Sequence, residues 1–156
     1  QMFDWLSIRL PVIGRIIIES NSAKTTRTLS SLVGSGVNLI QSVEITRDVM
    51  QNSYYKKVLD DTIMAVEKGK SLSTVIEKNE KLYPIFVSEM ISVGEETGKL
   101  SSMLQGVAIF YENEVEQKTK DLSTIIEPML MVFVGGAVGF FAIAMITPMY
   151  SVMNNL

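Results

Sequence analysis

The residues best placed to do chemistry are the glycine-bracketed loop Gly94-Glu95-Glu96-Thr97-Gly98-Lys99-Leu100 and the carboxylates at Glu112, Glu114 and Glu116. The loop looks like a phosphate cradle, but such a cradle needs Gly-x-x-x-x-Gly-Lys followed by Ser or Thr. Here Val93 stands where the first glycine belongs, and Leu100 where the Mg²⁺-binding hydroxyl belongs. Glu95 and Glu96 would also repel a phosphate. The spacing therefore excludes nucleotide hydrolysis by this route. Glu112 and Glu116 lie one helical turn apart, close enough to hold a divalent cation together. The plainer reading of that run is a solvated helix face.

The remaining chemistry is bounded by what the chain lacks. It has no cysteine and no histidine, which removes disulfides, thiolate nucleophiles, Cys/His zinc sites and Ser-His-Asp triads. A net charge of −3 over 156 residues argues against a general nucleic-acid binder. An enzyme using Glu95 and Glu96 is a poor fit, because adjacent carboxylates on a turn point apart and no nucleophile or cation pair accompanies them. The sequence points to no catalytic residue and no cofactor.

The elements that would carry these residues are helices. A mean hydropathy of +0.25 is explained by how the charges are distributed. Every charged side chain lies at or before Glu127, and Pro128–Leu156 carries none. Before that boundary, Pro11 and Gly14 are expected to break the pattern ahead of a helix over Ile16–Val33, in which Leu29, Leu32 and Val33 share a face. Gly34-Ser35-Gly36 reads as a stop and a turn. A second helix places Leu39, Val43, Thr46 and Met50 on one stripe, and Ser53 is the expected N-cap of the third. The third has the clearest pattern, with Tyr55, Val58, Leu59, Thr62, Ile63 and Val66 at helical spacing on one face.

Gly69 ends the third helix, Ser71 is placed to cap a short fourth with Leu72, Val75 and Ile76, and Pro84 opens a fifth with Phe86, Met90 and Val93 inward. Gly94 and Gly98 bracket a turn, with Glu95 inside it. A sixth helix runs from about Ser101 to Glu127 through Leu104, Val107, Tyr111, Val115, Lys118 and Leu122. The expected fold is all-α: a six-helix antiparallel bundle over residues 11–127, its long last helix continuing into a C-terminal transmembrane helix over 128–150. Pro128 lacks the N–H wanted at that turn and is expected to kink the junction.

Met129 to Ile146 is an unbroken run of apolar residues and glycine, and about 20 such residues cross a hydrocarbon core of roughly 30 Å. Lys118 and Lys120 precede it and no cation follows, so the bundle is expected in the cytoplasm and residues 151–156 form a short outer-side tail. Glu127 and Pro128 mark the membrane junction. Glu127 either carries a function at headgroup level or simply ends the apolar segment. Gly135 and Gly139 form a GxxxG pair, which either seats a second helix backbone to backbone or reflects the frequency of glycine in membrane helices. Met129, Met131, Met145, Met149 and Met153 suit either space-filling or a surface that adapts to a sliding partner. Gln1 is not an initiator methionine, so the chain is expected to be a piece of something longer.

Together these residues carry a resemblance. Val93-Gly94-Glu95-Glu96-Thr97-Gly98-Lys99-Leu100 with Met103-Leu104, then Tyr111-Glu112 with Glu114-Val115, then Ile126-Glu127-Pro128, resembles the signature of the inner-membrane assembly-platform proteins of type IV pilus and type II secretion machines. Leu10-Pro11 with Gly14, Arg27-Thr28-Leu29 with Leu32, Ser35-Gly36-Val37, Gly69 with Ser71-Leu72, and Tyr83-Pro84 extend it over roughly Leu10 to Pro148. The resemblance implies a protein with two related six-helix cytoplasmic domains and three spans. This chain would be the second domain and the last span, with residues 1–10 following an earlier span. It further implies a non-enzymatic platform in the inner membrane, surrounded by lipid and homo-oligomeric. Its partners would be a cytoplasmic hexameric motor ATPase, pilin or pseudopilin subunits and other inner-membrane machine proteins. The alternative is a membrane-anchored helical adaptor that only docks a soluble partner.

Overall fold

The computed structural model describes residues 11–153, and the expectations for residues 1–10 and for the tail beyond Met153 lie outside the described residues. The described residues form six helices and no strand: α1 (Pro11–Gly34), α2 (Leu39–Val49), α3 (Ser53–Glu67), α4 (Leu72–Glu77), α5 (Ile85–Thr97) and α6 (Leu100–Met153). The chain divides after Glu116 into two compact units, Gln1–Glu116 and Gln117–Leu156.

In the first unit, helices adjacent in sequence pack together from α1 through α5. Short polar caps set their limits. The Asn38 side chain accepts the Gln41 amide at 2.9 Å, and the Asn52 side chain accepts that of Tyr54 at 2.9 Å. The cap of α3 is therefore Asn52 and not Ser53, which is already helical. Both residue types suit an N-cap, and the carboxamide one residue earlier has taken the position. Gly69 closes α3 in the left-handed region at φ 76°, where a side chain would be strained. There its own amide reaches the Val66 carbonyl and that of Lys70 reaches Ala65.

Every helix of this unit contributes to one core: Leu29 from α1, Val43 from α2, Tyr55 and Leu59 from α3, Leu72 and Ile76 from α4, Val87 and Ile91 from α5, Leu104 and Val107 from α6. The stripes expected on α2 and α3 face inward, Leu39 and Val66 being only half-buried. The core also holds hydroxyls. Thr26, Thr46 and Thr62 return theirs to the carbonyl one turn back, at 2.8, 2.7 and 2.7 Å. The Tyr55 hydroxyl donates to the Leu82 carbonyl at 2.8 Å, and the Tyr83 hydroxyl lies 3.1 Å from that of Thr25. The two rings meet edge to face at 5.1 Å. Burial pushes both phenols above their ordinary pKa, so they stay neutral.

Three expectations are corrected. Pro11 and Gly14 do not break α1, which starts at Pro11, because proline fits the first helical position where no N–H is needed. Gly34 is still helical, and the left-handed residue of that turn is Gly36. On α5 the buried residues are Val87, Ser88, Ile91 and Gly94, while Phe86 and Met90 are half-buried and Val93 is exposed. The face sits one position further along because two of its members, Ser88 and Gly94, carry no apolar signal. As expected, the long last helix continues through Pro128, to Met153.

Candidate functional site

The loop that resembles a phosphate cradle is a helix corner. Gly94 lies inside α5, and Gly98 ends that helix in the left-handed region at φ 67°. The amides of Gly98 and Lys99 both reach the Gly94 carbonyl, the latter at 3.0 Å, which turns the chain directly into α6. Gly94 is required for a different reason. A Cβ placed there would stand 2.8 Å from Cα of Leu100 and 3.3 Å from Cβ of Met103. Of the two glycines expected to bracket the turn, only Gly98 has a left-handed backbone, and Gly94 provides space.

Glu95 faces back towards α4. Its carboxylate accepts the Leu72 amide at 2.7 Å, the Ser73 amide at 3.2 Å and the Ser73 hydroxyl at 2.7 Å. These are orphan donors of the α4 N-terminus, where a negative charge is favoured. Ser71, expected as the cap, accepts the Thr74 amide at 3.4 Å and shares the task. Glu96 is exposed, with the Ser92 hydroxyl 3.4 Å away. The corner is filled by the protein's own donors and acceptors.

The start of α6 is gripped from the other side by α1. The Ser30 hydroxyl donates to the Ser101 carbonyl at 2.8 Å, and the Ser101 hydroxyl donates to the Ser30 carbonyl at 2.9 Å. A Cβ on Gly34 would lie 2.6 Å from Oγ of Ser101. The sequence reading missed this contact, although Ser30 and Gly34, small and one turn apart, were a visible signal for close helix approach. Further along, Arg27 binds Glu112 through two bonds, Nε at 2.8 Å and Nη2 at 2.6 Å. Both Glu112 oxygens are therefore engaged, which leaves the Glu112–Glu116 pair poorly suited to a cation. Among the described residues no group of three or more acidic, His or Cys side chains is placed to hold a metal. The bond to Arg27 holds the Glu112 carboxyl below the usual carboxylate range and raises the guanidinium.

The second unit contains the remaining expected residues. Glu127–Met145 is long and apolar enough to cross a membrane, and none of it is buried. Glu127 and Pro128 are exposed at its start. Gly135, Gly136 and Gly139 have nothing within 4 Å of an added Cβ, so this helix face is open.

Two outcomes test this geometry. Gly98→Ala should cost about 1 kcal/mol for its left-handed backbone. Gly94→Ala should cost more, about 1–3 kcal/mol, because the atom it strikes is backbone. Denaturant midpoints of the detergent-solubilised chain give the order, and a Gly94→Ala protein as stable as wild type would show that α5 and α6 separate freely. Glu112→Gln should cost under about 1 kcal/mol at neutral pH, since the pair is half-exposed. The folded-state pKa of Glu112 is lowered, so the pair's contribution is complete above the ordinary carboxylate range and is lost as pH falls through the lowered value. The difference between variant and wild type should therefore vanish in acid. A difference that persists undiminished there would assign the effect to packing.

Comparison with known proteins places this geometry in a family. A family model described as type II secretion system (T2SS), protein F, matches residues 25–148. The chain is 33% identical, over its whole length, to 38% of the type IV pilus assembly protein PilC of Thermus thermophilus. It is 34% identical, again over its whole length, to 37% of the PilC of Myxococcus xanthus. With the type II secretion system protein F of Aeromonas hydrophila it shares 32% identity over 96% of this chain and 38% of that protein. The chain thus spans under two fifths of the length of these relatives. The match takes in the Gly94–Leu100 corner, the Arg27–Glu112 pair and the apolar segment alike, and the chain belongs to the type II secretion system protein F family.

Proposed function

We propose that this chain is the second cytoplasmic domain and last span of a non-enzymatic inner-membrane platform that couples a cytoplasmic motor ATPase to the assembly of pilin or pseudopilin subunits. The observation that carries the reading is the continuity of α6. One helix contributes Leu104, Val107 and Tyr111 to the domain core and runs without interruption through Glu127–Met145. A helix held at one end by a packed core transmits tilt or rotation, whereas a flexible linker does not. The relatives' names, type IV pilus assembly protein and type II secretion system protein F, support the same class of machine. In this reading the domain lies in the cytoplasm, with Lys118 and Lys120 on the inner side of the span and the C-terminus on the outer side. The open Gly135 and Gly139 face would meet another membrane helix, from a second copy or from a machine partner.

The coupling is tested by inserting a flexible Gly/Ser stretch of about six residues between Leu122 and Glu127. The expected protein folds, enters the membrane and binds its ATPase, yet assembles nothing. Near-normal assembly would reduce the chain to an anchored adaptor. Orientation has its own test, because the chain has no cysteine of its own. Lys120→Cys should react with a membrane-impermeant maleimide in inverted inner-membrane vesicles and be protected in intact spheroplasts. The opposite pattern would reverse the topology.

A further inference from the structure

The core uses one face of α3 and leaves the other open. Tyr55, Val58, Leu59, Thr62 and Ile63 are buried. On the opposite side Tyr54, Lys57, Asp61 and Met64 follow one another at intervals of three, four and three residues, the spacing of a coiled-coil seam. All four are exposed, Tyr54 at 44% and Met64 at 50%. The neighbouring charges are engaged, since Arg47 bonds both Asp48 and Asp60 at 3.0 Å. Among the described residues Lys57 and Asp61 take no ion pair. They stand one turn apart, but with the lysine first, which is the weaker order for a pair within a helix.

This stripe is its own complement. When a second α3 is turned end for end and its Met64 is set against Tyr54, its Asp61 falls against Lys57. Two-fold symmetry repeats both contacts, because the two pairs share one midpoint, at position 59. The antiparallel arrangement places two ion pairs at the centre and a ring against a thioether at either end, a contact that aromatic rings and sulfur favour. A parallel arrangement would instead stack Lys57 on Lys57 and Asp61 on Asp61. Charge complementarity therefore selects both the occupant and its direction, and a second copy of this chain supplies the required residues in register.

We propose that two copies of this chain dock through α3, antiparallel about a two-fold axis at position 59, with Tyr54 on Met64 and Lys57 on Asp61 of the second copy. The surface lies wholly within the first unit and draws on the platform reading only in placing both copies in one membrane. Four side chains from each copy are few against the roughly 20–30 residues a side of a standard interface, so the contact is weak in free solution. Tethering both copies in one membrane raises their effective concentration and favours it.

The chain has no cysteine, so a short bifunctional maleimide reads the register in isolated membranes holding the full chain. Three proteins are compared: Tyr54→Cys, Met64→Cys and the double variant. The expected result is crosslinked dimer from the double variant and none from either single one, because like positions lie about 15 Å apart along the paired helices at 1.5 Å per residue. Adding Lys57→Glu to the double variant should cut the dimer about fivefold, since it sets like charges across both pairs. Adding Asp61→Lys as well should restore it. Dimer from the single variants would overturn the proposal in favour of a parallel or collisional contact. Absence of dimer from the double variant would overturn it too, and position 54 shielded from a monofunctional maleimide in those membranes would assign the face to a different protein. Dimer indifferent to Lys57→Glu would remove the charged layer and the stated register with it. None of these failures touches the linker-insertion result, so loss of this contact and loss of the coupling reading are separable.

Discussion

The close approach of three helices around the first turn of α6 is the constraint on which the rest depends. Leu100 lies against Gly94 of α5 at a distance that excludes a Cβ, and Ser101 lies against Gly34 of α1 in the same way. The reciprocal Ser30–Ser101 bonds close the gap on the α1 side. Two glycines and two serines therefore fix where α6 begins, with no large side chain between the backbones. Small residues are effective here because interiors are close-packed, and an added methyl group must displace the Leu100 backbone at Gly94 or the Ser101 hydroxyl at Gly34. Glu95 extends the grip to α4 through three charge-assisted bonds, so α4, α5 and the start of α6 form one corner.

Beyond this corner the core is held in a similar manner. The buried hydroxyls of Thr26, Thr46 and Thr62 bond back to carbonyls of their own helices, which lets small polar residues occupy the interface. The large apolar volume comes from Tyr55, Leu59, Tyr83 and Ile91. Tyr83 is tied to Thr25 of α1 and Tyr55 to the Leu82 carbonyl, so the segment before α5 is fixed in register with α1 and α3. A core with directional bonds resists sliding more than one of aliphatic contacts alone, because a shifted register would leave buried hydroxyls unpaired. For a domain read as transmitting motion, that rigidity is the relevant property.

How much of this was legible follows the same logic. The inward face of α3 was readable, apart from its Asn52 cap and half-buried Val66, because it is mostly large apolar residues with charges opposite. The face of α5 was misread because Ser88 and Gly94, half of its buried set, give no apolar signal, while Phe86 and Met90 on the flank give a strong one. α1 was hardest, since its buried side is Ser22, Thr25, Thr26 and Ser30 around Leu29. The partner of Glu95 was beyond reach of the sequence, because a bond from α5 to the start of α4 depends on how the chain folds back. The charge boundary at Glu127 needed no tertiary information, and the candidate span begins there.

The uninterrupted course of α6 through Pro128 has a physical reason. A proline inside a helix frees the carbonyl four residues earlier, and in hydrocarbon such a carbonyl would cost several kcal/mol. For Pro128 the freed carbonyl belongs to Thr124, which lies before the candidate span Glu127–Met145 in sequence. For Pro148 it belongs to Ala144, near the end of the apolar run Met129–Ile146. No proline stands between them. Between these two positions every carbonyl of the apolar stretch keeps a helical N–H available to it. The glycines at 135, 136 and 139 retain their N–H groups and do not disturb this ladder. Their effect is confined to the helix surface, where they lower its profile. A helix built in this way has its bendable points at its two prolines and a continuous hydrogen-bonded rod between them.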